Sequence, residues 1–99
     1  MLKDALFNTL REKLMNEFAG AFASGELFFE KDNRGFMSLF RRTPKNRYHI
    51  SKRVALDGTT WYIIWGKATR EVLSDKKFFV SKHRTASEAK IALCQGKYM

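Results

Sequence analysis

Residues 47–65, RYHISKRVALDGTTWYIIW, decide the fold class of this chain. In the first ten positions apolar side chains fall mostly on even numbers, and basic or polar ones fall on odd numbers. This is the period of a β-strand with one basic face. Asp57 and Gly58 are typical of a two-residue hairpin turn, and the β-branched and aromatic run after them predicts a returning antiparallel strand. The stretch therefore predicts a β-hairpin.

The two-residue turn implies a register in which Val54 faces Trp61 and Arg53 lies beside Tyr62. Trp61 and Trp65 then lie on the apolar face of the hairpin. An inverted register would expose both tryptophans instead, because a shift of one residue turns every side chain to the other face. We favour the first register, since it buries the large apolar area of both indoles.

The segments around this hairpin complete an α+β pattern. Residues 3–22 predict an amphipathic helix that packs on a core, because their apolar side chains recur every fourth position (Leu6, Leu10, Leu14, Phe18, Phe22). Residues 26–40 predict another hairpin. Residues 69–73 predict either a continuation of the preceding strand or a short further strand, and residues 78–82 predict a strand. Thr85 and Glu88 match a capping box for a C-terminal helix that ends at Gly96. We expect one domain, residues 1–99, with an N-terminal helix, a four- to five-stranded antiparallel meander and a C-terminal helix.

Positive charge is concentrated in the middle of the chain. Of the formal net charge of +9, residues 1–40 contribute −1 and residues 41–84 contribute +9, and no acidic residue occurs between Asp32 and Asp57. Stability alone gives no reason for such self-repulsion, and its usual use is to attract a polyanion. We expect a nucleic-acid-binding regulatory protein, with RNA slightly favoured over DNA. An acidic protein partner and a merely solvated basic face remain alternatives.

The predicted binding residues lie on the basic strand face, in the adjoining loop and around the last strand. Phosphates favour Arg and Lys, and bases favour aromatic faces on which they stack. Residues 41–46 are predicted to form a cationic loop, because Pro44 has no N–H for a strand ladder. Lysines and Arg84 near the last helix would attract an anion to its N-terminus. The full set is Arg41, Arg42, Lys45, Arg47, His49, Arg53, Tyr62, Lys76, Lys77, Lys82 and Arg84.

Catalytic and metal sites have little support in the sequence. A small ribonuclease would need His49 and His83, with Lys52, to meet as general acid and base. This hypothesis ranks third, after nucleic-acid binding and after an inhibitor or antitoxin-like protein that docks on an acidic or nucleic-acid-processing partner. The single cysteine, Cys94, excludes an internal disulfide and a multi-cysteine zinc site, and it is expected to be buried. We therefore expect no enzyme, no cofactor and no metal.

The apolar runs of the chain are short. The longest, residues 61–65, is far below the ~20 residues of a membrane span, and the first residues lack the apolar stretch of a secretory signal. We expect a cytoplasmic protein without a membrane partner. Nine phenylalanines, several of them in residues 26–40, leave a homodimer as a further expectation.

Residues 48–93 resemble two nucleic-acid-binding modules at the level of pattern: three antiparallel strands closed by an alanine-rich helix. As in the double-stranded-RNA-binding domain, basic residues (Lys82, His83, Arg84) precede the last helix, although the glycine-containing turn of that family is absent. As in AP2-type and integrase N-terminal domains, which read DNA with their sheet, Phe79 leads into the helix that starts near Thr85. The resemblance implies nucleic-acid binding and assigns no individual residue, and residues 26–40 have no counterpart in it.

Overall fold

The computed structural model describes residues 2–31, 33–69 and 76–96. Its elements are α1 (Leu2–Glu17), α2 (Ala19–Ala23), β1 (Leu27–Lys31), β2 (Met37–Arg42), β3 (Asn46–Val54), β4 (Thr60–Ala68), β5 (Phe78–His83) and α3 (Ala86–Gln95). The five strands form one antiparallel sheet in sequence order, and the helices pack on one face of it. The predicted α+β meander is confirmed. The strand expected at residues 69–73 lies, apart from Thr69, outside the described residues.

The predicted N-terminal helix is divided in two. Phe18 leaves helical geometry, with φ −115° and ψ 38°, and α2 then continues to Ala23. Leu14 is buried, and Leu10, Phe18 and Phe22 pack against the same core, so these four residues of the predicted apolar stripe belong to the core. Within the described part of the chain no helix is long and apolar enough to cross a membrane.

The hydrophobic core lies between the helices and one face of the sheet. Strands β1 to β4 each contribute one fully or almost fully buried side chain: Leu27, Leu39, Tyr48 and Ile64. The helices add Leu14, Leu93 and Cys94. Cys94 is buried as predicted. In the part of the chain that the structure describes, the core therefore uses one face of the sheet, and no helix lies on the other face.

Arg41 belongs to this core rather than to a loop. β2 extends through Arg42, and strand alternation turns Arg41 toward the helices. Its guanidinium donates to Oε1 of Glu26 at 2.8 and 3.2 Å, and to the carbonyl oxygens of Leu93 and Cys94, both at 2.9 Å. These carbonyls end α3, where a cation is favoured by the helix dipole. The prediction that Arg41 lies in an exposed cationic loop is wrong.

The loop between β3 and β4 has three residues instead of the predicted two. The N–H of Ala55 donates to the carbonyl of Thr59 at 2.8 Å, which leaves residues 56–58 as the loop. Gly58, with φ 87°, occupies its last position. This matches the three-residue hairpin in which a type I turn is followed by a left-handed glycine.

The extra loop residue changes the strand register by one. Arg53 pairs with Trp61 and His49 pairs with Trp65, so both tryptophans lie on the face that the helices leave uncovered. Tyr62 instead pairs with Lys52 and faces the helices. The register we favoured is wrong, the inverted one is observed, and Tyr62 does not lie on the basic face.

Candidate nucleic-acid interface

The sheet face turned away from the helices carries a mixture of basic and aromatic side chains. We call it the open face. The strand register and the alternation of side chains along each strand determine which residues lie on this face. Its cationic and aromatic side chains within the strands are those of Phe28, Phe40, Arg42, Arg47, His49, Arg53, Trp61, Trp65, Lys67, Phe79 and Lys82.

A row of aromatic rings crosses the open face from β1 to β5. Direct register partners join Phe28 to Phe40, Phe40 to His49, His49 to Trp65, and Trp65 to Phe79. Because neighbouring strands lie about 4.8 Å apart, this aromatic row is about 19 Å long. Phe28 and Phe40 stack with centroids 5.5 Å apart, and Trp65 meets Phe79 edge to face at 6.1 Å. Phe79 is 55% exposed, so its ring is available to a ligand.

A second row, next to the first, consists of three cations. Arg42 is the register partner of Arg47, and Arg47 is the partner of Lys67. We call these three residues the cationic row. Arg47 is restrained by Glu30, 3.0 Å from its Nη2, and its guanidinium carbon lies 4.7 Å from the centroid of the Phe40 ring. Like charges placed directly opposite each other destabilise a sheet, so this row favours an anionic ligand.

Trp61 forms a third feature at the other end of the open face. The Nζ of Lys82 lies 4.3 Å from the ring centroid, and the guanidinium carbon of Arg84 lies 5.1 Å from it. Arg53 is its register partner on β3. Cation–π contacts of this kind hold the cations beside the indole, where phosphate contacts and base stacking can occur together.

His49 lies in the middle of the aromatic row, and its pKa depends on the positive charges around it. Burial lowers the pKa of His49 below its usual value, and the positive charges of Lys77, Arg47 and Lys67 lower it further. A neutral histidine is therefore favoured at the centre of a cationic surface. The same field would attract a phosphate backbone to this region.

The structure places most of the predicted binding residues on or beside the open face. Arg42, Arg47, His49, Arg53, Lys82 and Arg84 lie there, and the charge of Lys77 acts on His49. Lys45, in the exposed loop between β2 and β3, and Lys76, just before β5, are also exposed. Arg41 and Tyr62 are the two that lie on the helix side.

The predicted anion site at the start of α3 is not assembled. Lys82 and Arg84 turn to Trp61, and the ring of His83 lies on the helix side, 2.9 Å from the hydroxyl of Ser81. Thr85 caps α3 by accepting from the N–H of Glu88 at 3.1 Å, as the capping pattern predicts. The cationic groups of Lys82 and Arg84 therefore lie at the open face, beside Trp61.

The histidines of the ribonuclease hypothesis do not meet. His49 lies on the open face, whereas His83 lies on the helix face. On that face Tyr62 of β4 stands between its register partners, His83 on β5 and Lys52 on β3. Among the residues that the structure describes, no group of three His, Cys, Asp or Glu side chains is placed to hold a metal ion.

Sequence reasoning missed the tryptophans, Lys67 and the aromatic row. Gly58 could have indicated that the tryptophans lie on the open face. A three-residue loop also favours a glycine at its last position, and such a loop gives the register that turns Trp61 and Trp65 to that face. The aromatic row could not be found from single strands, because it exists only when the pairing of all five is known.

We compared the chain with protein-family models, with curated proteins and with solved structures, and none of the three comparisons finds a match. Its function therefore has to be inferred from the open face itself.

Proposed function

We propose that this protein binds single-stranded nucleic acid on its open face, with RNA slightly favoured over DNA. The observation that carries the proposal is the aromatic row with the cationic row directly beside it, on a sheet face that no described helix covers. Bases would stack on the rings, and phosphates would contact the arginines and lysines. By occupying or masking a nucleic acid, such a protein would act as a regulator.

The aromatic side chains of the open face favour a single strand over a duplex. Bases in a duplex stack on each other, whereas unpaired bases offer their faces to aromatic side chains. Phe79 is 55% exposed, and the guanidinium of Arg47 covers Phe40 and offers its own outer face for stacking. Base stacking contributes about 1–3 kcal/mol per base, which is enough to favour the single strand.

An ordinary solvated surface explains these features poorly. Trp61, Trp65 and Phe79 lie on the same uncovered face, and contiguous apolar groups on a surface commonly mark an interaction site. The cationic row adds repulsion that the fold itself does not need. A ligand with both stacking faces and negative charge explains the two rows together.

The second candidate is an acidic protein partner, for which this chain would act as an inhibitor or antitoxin-like protein. Tryptophan and arginine are the residues most enriched at the centres of protein interfaces, and the open face presents Trp61, Trp65 and Arg47. The two candidates differ in whether free nucleic acid binds by itself.

The test is titration of the purified protein with a single-stranded RNA, a DNA of the same sequence and the matching duplex. Both tryptophans lie on the open face, so their fluorescence should be quenched on binding. If about five phosphates are contacted, the affinity for a single strand should fall with a log–log salt slope near −3.5. An affinity that does not change with salt concentration, or no binding at low salt, would contradict the proposal and favour the protein partner.

Variants locate the site. Trp65→Ala should weaken single-strand binding by about 1–3 kcal/mol through lost stacking. Tyr62→Phe is the matched aromatic control on the helix side and should bind normally. Lys67→Ala should reduce the salt slope by about 0.7, whereas Lys13→Ala, exposed on α1, should not change it. Equal effects of Lys67→Ala and Lys13→Ala would indicate diffuse charge without a site.

A further inference from the structure

A surface cavity of about 440 Å³ lies at the margin of the open face. Its walls include Phe28, Glu30 and the whole cationic row. Arg42 is the last residue of β2, and Lys67 is the last but one of β4, so the cavity lies where these strands end. The cavity therefore lies at an edge of the open face, beside the aromatic row.

Among the described residues, the cations of this cavity outnumber the carboxylates. In the described ranges neither Arg42 nor Lys67 forms an ion pair, and Arg47 is paired with Glu30 alone. The described walls carry three cations and one carboxylate, a formal charge of +2. Arg42 and Arg47 are direct register partners, and so are Arg47 and Lys67, so each repels its neighbour until an anion is bound.

A phosphomonoester fits this charge better than a phosphodiester does. A terminal phosphate carries about −1.5 to −2 at neutral pH and has three strong acceptor oxygens, whereas a backbone diester carries a single negative charge. Arginine forks bind such oxygens in pairs, and a lysine adds a point charge. Phe28 supplies an apolar wall beside the three cations, where the base of the terminal nucleotide can pack.

We propose that this cavity binds the terminal phosphate of a single-stranded nucleic acid, so that the protein recognises phosphorylated strand ends. The inference rests on the proposed function, because it assigns one end of the same bound strand. It adds a second role for the cationic row: besides contacting phosphates along the strand, the row binds the phosphate at one strand end.

The experiment measures tryptophan fluorescence during titration with three oligonucleotides of one sequence: one with a 5′-phosphate, one with a 3′-phosphate and one without a terminal phosphate. One of the phosphorylated forms should bind about tenfold more tightly than the unphosphorylated form, the effect of one charge-assisted hydrogen bond. Arg42→Gln and Lys67→Gln should each remove most of this preference. Arg53→Gln, at the opposite end of the open face, should weaken all three oligonucleotides equally and keep the preference.

Each failure has a separate meaning. Equal binding of the three oligonucleotides overturns the terminal-phosphate site and leaves the proposed function standing. Absence of binding by all three overturns the proposed function, and the inference with it. A preference that survives in both Arg42→Gln and Lys67→Gln places the phosphate elsewhere and overturns the site. A phosphoserine peptide of similar length that binds as tightly as the phosphorylated oligonucleotide would assign the cavity to a phosphorylated protein instead.

Discussion

Arg41 and Arg42 are neighbours on β2, and strand alternation points their side chains to opposite faces of the sheet. Arg41 is buried and donates to Glu26 and to two carbonyls at the end of α3. We expect Arg41→Ala to reduce the free energy of unfolding by about 2–4 kcal/mol, because the buried carboxylate and carbonyl oxygens lose the guanidinium that donates to them. Urea unfolding followed by circular dichroism measures the change.

Arg42→Ala is the matched control for Arg41→Ala. Arg42 is exposed on the open face, so its removal should change stability by no more than about 0.5 kcal/mol. It should instead weaken nucleic-acid binding. Equal stability of the two variants would contradict the structural role of Arg41. Equal affinity of the two variants for nucleic acid would contradict the assignment of binding to Arg42 and the open face.

The position of His49 predicts a dependence of folding stability on pH. Burial, and then the charges of Lys77, Arg47 and Lys67, lower the pKa of His49 below its usual 6.5 in the folded protein. At pH values between the folded and the unfolded pKa of His49, the unfolded chain therefore binds more protons than the folded protein does. The stabilisation is fully present above the unfolded pKa and is lost as the pH falls from there through the folded pKa. Urea midpoints measured between about pH 7 and pH 5 should fall less in His49→Gln.

Nucleic-acid binding should have the opposite pH dependence. Phosphates would offset the charges of Lys77, Arg47 and Lys67, so the pKa of His49 should rise when a strand binds. Proton uptake then accompanies binding, and affinity should increase as the pH falls below about 7. Titrations at several pH values check this, with His49→Gln as the variant that should lose the increase. An unchanged profile in that variant would show that phosphates do not approach the centre of the open face.

Among the elements, the loop of residues 56–58 decides which face β4 presents. Leu56 is fully exposed, so Leu56→Ser should change stability by no more than about 0.5 kcal/mol. Deletion of Leu56 leaves Asp57 and Gly58 as a two-residue loop with Ala55 still opposite Thr59, so Ile64 should stay in the core and Trp65 on the open face. We expect a loss of stability well below the ~2–5 kcal/mol that truncation of a buried aliphatic side chain costs. Thermal unfolding of the two variants compares them directly.

A deletion variant that loses as much stability as a core truncation would mean that β4 shifts by one residue against β3, which turns its side chains to the other face of the sheet. Tryptophan fluorescence distinguishes this outcome, because a turned β4 would bury Trp65 and shift its emission to shorter wavelength.

For the molecule as a whole, the thiol of Cys94 reports opening of the core. Burial raises the pKa of Cys94 to about 11, while Arg41 lowers it and Glu17 raises it by smaller amounts. A thiol that is buried and protonated is a poor nucleophile. We expect an aromatic disulfide reagent at about pH 8 to react only as fast as the protein opens, and to react at once in urea. Reaction of the folded protein at the rate of a free thiol would contradict this burial.

Arg41→Ala should accelerate the same reaction. Arg41 donates to the carbonyls of Leu93 and Cys94, so its loss frees the end of α3 and raises the population of open molecules. Arg42→Ala should react like the wild type. Thiol kinetics therefore connect the role of one side chain to the stability of the whole fold.

Much of the architecture could be predicted because it depends on local patterns. The fourfold spacing of Leu10, Leu14, Phe18 and Phe22, and the cap at Thr85, each specify an element without reference to the rest of the chain. The faces of β4 could not be assigned this way, since the same glycine fits a two-residue or a three-residue loop. Arg41 was misplaced because its partners on α3 are distant in sequence, and pairs of arginines are common in loops and strands alike.

The contact between Arg41 and α3 has a consequence for synthesis on the ribosome. Arg41 precedes Leu93, whose carbonyl it binds, by 52 residues. At ~5–20 residues per second, translation needs roughly 3–10 s to cover that distance. During this interval the hairpin of β1 and β2 exists without the helix end that Arg41 caps. The N-terminal half of the sheet must therefore complete its packing late, after α3 has emerged, and a nascent-chain chaperone would find the core residues Leu27 and Leu39 accessible until then.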